Sequence, residues 1–126
     1  MERTAPFKDL TAKIIEACIE VHRILGPGFL ESIYETALAH ELDLRSIKYE
    51  RQKAIPIPYK TIFAGEHRLD FLVEGKVIVE LKAVKDFEDI HFATILSYMR
   101  AIKTEVGLLI NFNKPRLVDG VKRFQI

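Results

Sequence analysis

The stretch from His67 to Val84 limits the available folds more than any other part of the chain, because its hydrophobic pattern admits one pairing. Leu69, Phe71 and Val73 recur at every second residue, and so do Val77, Val79 and Leu81. Two strands of this period bury both sets on one face only if Leu69 lies opposite Leu81, Phe71 opposite Val79 and Val73 opposite Val77. A slip of one residue turns one set outward. The pairing leaves Glu74, Gly75 and Lys76 as a three-residue loop, in which Gly75 supplies a residue tolerant of positive φ. On the other face Asp70 meets Glu80, Leu72 meets Ile78 and Arg68 meets Lys82. Directly opposed side chains have Cβ atoms about 5 Å apart. Two carboxylates and a lysine therefore converge at one end of the hairpin.

Two like charges at this spacing repel. From Val77 to Val84 the chain is apolar except for Glu80 and Lys82, as expected of a central strand covered on both faces. Charges in such a place are costly unless paired or bound to metal. A divalent cation relieves the Asp70–Glu80 repulsion. Magnesium commonly takes one or two carboxylates and keeps waters for a phosphate ligand to displace. The plainer alternative is a solvated outer face with an ordinary Glu-x-Lys alternation, which the enforced Asp70 pairing disfavours.

Around this hairpin the pattern predicts an α/β domain. Leu10, Ile14, Cys18, Val21 and Leu25 recur at helical spacing and predict a helix over about 8–25, stopped by Gly26-Pro27. Leu30, Ile33, Tyr34, Ala37, Leu38 and Leu42 predict a second helix over about 30–44. From Tyr49 to Tyr59 the period changes to two, with Pro56 and Pro58 marking an edge strand. Strands follow at 67–73 and 76–84, then a helix from about Glu88 to Ile102, a buried strand from Val106 to Ile110 and a last short strand from Lys122 to Ile126. The order implies one mixed sheet with helices packed on it. The helix after the third strand would be a parallel crossover.

A chain of 126 residues fits a single domain, 1–126. With 19 basic against 18 acidic residues the net charge is +1, so no whole-molecule field attracts nucleic acid. A nucleic-acid partner must be held by a local patch or through a metal ion. The lone Cys18 excludes an intramolecular disulfide and a multi-cysteine zinc cluster, and its place on an apolar helix face marks it as a small core residue. His22, His40, His67 and His91 show no zinc-ligand spacing. No phosphate-binding glycine loop, dinucleotide fingerprint or nucleophile motif is present. With no apolar run long enough for a bilayer and no signal-peptide pattern, the expected location is the cytoplasm, away from membranes.

Gly28-Phe29-Leu30-Glu31-Ser32-Ile33-Tyr34 resembles the motif that names the GxxExxY proteins of bacteria and archaea. The resemblance continues through Val21-His22, Leu25-Gly26-Pro27-Gly28, Val79-Glu80-Leu81-Lys82-Ala83-Val84, Gly107-Leu108-Leu109-Ile110-Asn111-Phe112 and Pro115-Arg116-Leu117. It covers nearly the whole chain after about residue 10. This family is similar to a branch of the PD-(D/E)xK nuclease superfamily. The resemblance implies a restriction-endonuclease-like core: a mixed central β-sheet flanked by helices. It implies a metal site of Asp70, Glu80 and Lys82, with a helix glutamate that matches Glu31 or Glu35; Glu31 is favoured because it belongs to the naming motif. Tyr34 reads as a packing residue whose hydroxyl finds a partner. Related nucleases often carry a glutamine four residues before a tyrosine on the next helix. Here Tyr98 is present and Thr94 stands in the glutamine position. His91 opens the same helix, either facing the site or capping the helix.

The chemistry so implied is hydrolysis of phosphodiester bonds of DNA or RNA, DNA being favoured. Asp70 and Glu80, with the Leu81 carbonyl as a further ligand, hold Mg²⁺ or Mn²⁺; Glu31 completes the site directly or through water. Lys82 positions the attacking water and stabilises developing negative charge. Many nucleases of this superfamily dimerise to cut two strands, which leaves a homodimer open. The alternative is an inactive nucleic-acid- or protein-binding module on the same fold, which Thr94 and the near-neutral charge favour.

Overall fold

The computed structural model describes residues 5–126; residues 1–4, part of the expected domain 1–126 and of the N-terminus read for targeting signals, lie outside them. Helix α1 (Lys8–Leu25) ends where Gly26 adopts φ 70° and its N–H donates to the His22 carbonyl. Helix α2 (Glu31–Leu44) follows. Strands β1 (Tyr49–Tyr59), β2 (Ile62–Val73) and β3 (Val77–Lys82) form a meander; helix α3 (Asp89–Ile102) crosses over to β4 (Val106–Asn111), and a 3₁₀ turn at Leu117–Gly120 leads into β5 (Val121–Gln125). The sheet order is β1-β2-β3-β4-β5. Only β3 and β4 are parallel, joined by the α3 crossover as the sequence predicts. The fold is thus α/β, a mixed sheet between helices.

Two cores cover the two faces of the sheet. Ile14 and Cys18 of α1 and Tyr34, Leu38 and Leu42 of α2 pack with Phe71, Val73, Val77, Val79, Leu81, Leu108 and Ile110. Ile95 and Met99 of α3 pack with Ile55, Leu69, Leu72, Ile78 and Leu109 on the other face. With apolar cover on both faces, β4 is buried along its whole length, as central strands of this kind require. Gly107 is there because α3 lies so close: a Cβ at that position would come within 2.8 Å of Met99 Sδ. Leu30, Ile33 and Ile90, expected on apolar helix faces, are exposed. No helix among the described residues is long and apolar enough to cross a membrane.

The hairpin register holds at Phe71–Val79, Leu72–Ile78 and Val73–Val77. Its turn spans Glu74, Gly75 and Lys76, as the sequence indicates: Lys76 N–H donates to the Val73 carbonyl, with both Glu74 and Gly75 at positive φ. The ladder then stops at Phe71–Val79, so the expected pairs Leu69–Leu81, Asp70–Glu80 and Arg68–Lys82 are not formed as strand partners. Leu69 also departs from expectation, packing on the α3 face and not with Phe71. The cause lies in β1, where Gln52 opposite Asp70 takes φ 52° and interrupts the regular pleat. Two boundaries shift as well. β2 begins at Ile62 and not at His67, and β3 ends at Lys82, short of Val84.

Candidate functional site

Where β2 and β3 part, the Asp70 side chain replaces the missing backbone partner. Its Oδ2 accepts the Leu81 N–H at 2.8 Å, which fixes the carboxylate across the end of β3. Glu80, the neighbour of Leu81, projects to the α3 side beside it. The two line a cleft of about 160 Å³ with Glu31, His67, Arg68, Lys82, His91, Thr94, Ile95, Tyr98 and Leu109. Elements distant in sequence meet here: the first turn of α2, the middle of β2, the end of β3 and one side of α3.

The electrostatics of the cleft are dominated by Glu80. It is 8% exposed, and its Oε1 has no hydrogen-bond partner. Burial, and after it the charge of Asp70, pushes its pKa up to about 9. His67 Nε2 stands 3.8 Å from that oxygen, outside hydrogen-bond range. The His67 ring stacks on Tyr98 with centroids 3.8 Å apart. Desolvation lowers the His67 pKa and raises that of Tyr98. Desolvation also raises the Glu31 pKa, against the opposing pull of Lys82.

Two adjacent carboxylates, one with a buried and unpartnered oxygen, are a donor set suited to a hard divalent cation. Among the described residues, no three His, Cys, Asp or Glu side chains gather as a metal-binding group. Asp70 and Glu80 would therefore leave most positions to water and a phosphate oxygen, as magnesium prefers.

The other sequence-derived candidates divide cleanly. Glu31, not Glu35, reaches the cleft. Glu35 is held outside it by Arg51 at 2.9 Å and by the Gln52 amide at 2.6 Å; that amide also lies 3.5 Å from Asp70 Oδ1. Tyr34 is fully buried, stacks on Phe112 at 4.5 Å, donates to the Gly26 carbonyl at 2.6 Å and accepts from Phe29 N–H at 3.1 Å. It bolts the Gly26-Pro27-Gly28 turn and lies outside the cleft lining. His91 does both things the sequence left open. It lines the cleft, and its Nδ1 accepts from Glu88 N–H in a capping box that starts α3. Thr94 and Tyr98 line the cleft, but the Thr94 hydroxyl is spent on the Ile90 carbonyl at 2.7 Å.

A model of the PD-(D/E)XK nuclease superfamily matches residues 8–124, nearly the whole chain. The chain belongs to that superfamily. No curated protein and no solved structure gives a significant match. PD-(D/E)XK nucleases are generally dependent on divalent metal ions, and membership implies a nuclease-type function on nucleic acid. In this PD-(D/E)XK domain His67, Ile95 and Leu109 line the cleft without having been marked by the sequence, and Arg68, marked only as the partner of Lys82, joins them. In a regular strand His67 would face away from Asp70; only the interruption at Gln52 and Asp70 turns it in. Gln52 was also unmarked, and its positive φ left no trace in composition or spacing.

Proposed function

We propose that this protein is a metal-dependent nuclease of the GxxExxY branch, a single catalytic domain that hydrolyses phosphodiester bonds, of DNA in preference to RNA, in the cytoplasm. The observation that carries the reading is the Asp70–Glu80 pair, held by the Leu81 N–H and leaving Glu80 Oε1 buried without a partner. Asp70 and Glu80, with the Leu81 carbonyl, would hold Mg²⁺ or Mn²⁺. When bound, the ion supplies Lewis-acid charge and an acidified water.

The chain's own residues do the rest. Glu80 would have to give up its proton to serve as a ligand. Lys82, two residues beyond Glu80 on β3, places positive charge where the phosphate gains negative charge. Glu31 at the rim accepts a hydrogen bond from the attacking water and orients it. Tyr98 and His67 form a flat wall that keeps bulk water from Glu80, and His91 closes the α3 side.

The committed Thr94 hydroxyl favours a second reading, a binding module on the same fold without activity, since that side chain offers nothing to a substrate. Calorimetric titration of Mn²⁺ and Mg²⁺ into wild type, Asp70→Asn and Glu80→Gln separates the two. Binding by wild type and loss in both variants supports the nuclease. No binding by wild type at millimolar metal refutes it and leaves the binding module.

A further inference from the structure

The β1–β2 hairpin extends well past the sheet that anchors it. β2 pairs with β3 only at Phe71, Leu72 and Val73, yet its ladder with β1 continues out to Tyr59–Ile62. Near the root Ile55 and Leu69 are buried against α3, but every residue from Pro58 to Glu66 is exposed. Two-stranded ribbons are marginal in water, and this one carries large apolar groups at its end: Tyr59, Ile62 and Phe63 are 58%, 60% and 71% exposed.

Three observations indicate what covers it. The free edge of β1 holds Pro56 and Pro58, which lack the N–H groups that an added strand needs, so a β-strand partner is disfavoured. Positive charge stands at the tip itself, where Lys60 Nζ lies 5.5 Å from the Tyr59 ring centre; nearer the root Lys53 is paired with Glu50 at 2.7 Å and Arg68 lies 3.9 Å from Glu66. Exposed aromatic rings beside positive charge are what single-strand binders use to stack bases and track phosphates. Finally, the root of the ribbon is a wall of the cleft, since His67 and Arg68 line it. The ribbon is therefore continuous with the place where a phosphate would sit.

We propose that the β1–β2 ribbon is a substrate arm that stacks unpaired bases of a nucleic-acid strand on Tyr59 and Phe63 while the same strand passes Arg68 into the cleft. Five residues of strand separate His67 from Ile62, a reach of about 17 Å. At about 3.4 Å per stacked nucleotide, the tip engages the strand some five nucleotides from the scissile bond. The preferred substrate is then a single strand, an overhang or a flap, and not a blunt duplex. This inference rests on reading the cleft as the site where a nucleic acid is cut.

Fluorescence anisotropy in EDTA tests it, with labelled oligothymidine, the corresponding blunt duplex and the full chain. Tyr59→Ala/Phe63→Ala should bind the single strand at least about tenfold more weakly, from loss of two stacking faces. Tyr59→Phe, which keeps the ring, should bind as wild type does. Mn²⁺ titration of the double variant should match wild type, because the tip is remote from Asp70 and Glu80. Unchanged single-strand affinity in the double variant overturns the arm, as does an equal loss on the duplex. A wild type that self-associates through the tip, becoming monomeric in the double variant with no change in oligonucleotide affinity, overturns it in favour of a contact between copies. If wild type binds metal and no oligonucleotide, the arm fails and the metal site stands. If it binds oligonucleotide through the tip and no metal, the arm stands and the nuclease reading fails.

Discussion

Glu80→Gln should make the metal-free protein more stable and the metal-loaded protein less so. In the fold, burial beside Asp70 moves the Glu80 pKa from 4.5 to about 9. Between these values the native state holds a proton that the unfolded chain has released, so stability falls as pH rises. The contribution is intact below the unfolded value and is lost as the pH climbs toward the folded one. One pKa unit corresponds to about 1.4 kcal/mol. Wild type in EDTA should thus lose at most about 2–3 kcal/mol from this group between about pH 6 and pH 8. Glutamine cannot ionise, and its amide can donate to the Asp70 carboxylate, so the variant should lack this slope. Urea unfolding of both proteins across that pH range measures the difference directly, with the m-value as a check on two-state behaviour. At about pH 7 saturating Mg²⁺ should then reverse the ranking, since only wild type gains about 4.1 kcal/mol at about a thousandfold excess over Kd. Because loading expels the proton, wild-type metal affinity should rise by up to about tenfold per pH unit below about pH 9. Parallel stability curves for wild type and variant in EDTA would refute the argument, because they mean that Glu80 ionises freely in the folded state.

Cys18 is fully buried, and burial pushes its thiol up to about 12. Thiol reagents at neutral pH should therefore modify it only at the rate of unfolding, as quench-flow labelling with and without urea would show. Tyr34→Phe strands the Gly26 carbonyl and the Phe29 N–H, which should lower stability by about 1–3 kcal/mol; Mn²⁺ affinity should hold, and its loss would place the hydroxyl in the site after all. Gly120→Ala drives a Cβ to within 2.3 Å of the Asn111 carbonyl oxygen, a backbone atom that cannot swing away. A loss of about 3 kcal/mol or more is expected by thermal or urea unfolding, whereas Gly107→Ala should cost less because it presses on the flexible Met99 side chain.

What the sequence made legible was whatever a repeating period could encode. The pairing of Phe71 with Val79 follows from alternation on both strands, and the α3 crossover follows from one amphipathic run between two apolar ones. The outer part of β2 was illegible for a physical reason. Ile62 to Glu66 belongs to a ribbon with no core beneath it, so nothing selects an alternating pattern there. Gln52 was illegible because its effect is conformational. A glutamine at φ 52° looks like any other in a string of letters, yet it breaks the pleat that would have kept His67 turned away from Asp70. Which of Glu31 and Glu35 lines the cleft depends on which face of α2 meets β1, and Arg51 and Gln52 hold Glu35 outside it.

The same substitution of side chain for backbone recurs on both flanks of β3, and this is what opens the cleft. On the β2 side the Asp70 carboxylate takes the Leu81 N–H that a regular ladder would have given to a backbone carbonyl. On the β4 side the ladder closes with Phe112 N–H on the Lys82 carbonyl. Beyond it the buried Asn111 amide accepts from Val84 N–H and donates to the Val84 carbonyl. The strand is thereby released from both neighbours within a few residues of Glu80 and Lys82. A crevice at the carboxyl end of a parallel strand is where ligands of open α/β sheets bind, and here two side chains create it by satisfying the backbone groups that would otherwise have zipped it shut. Asn111→Ala should leave the Val84 backbone unpaired and let the loop before α3 move. His91, anchored in that loop's capping box, would move with it, so the variant should lose cleft order before global stability. Hydrogen exchange confined to residues 83–88 would show that; uniform exchange across the sheet would instead make Asn111 a simple core residue.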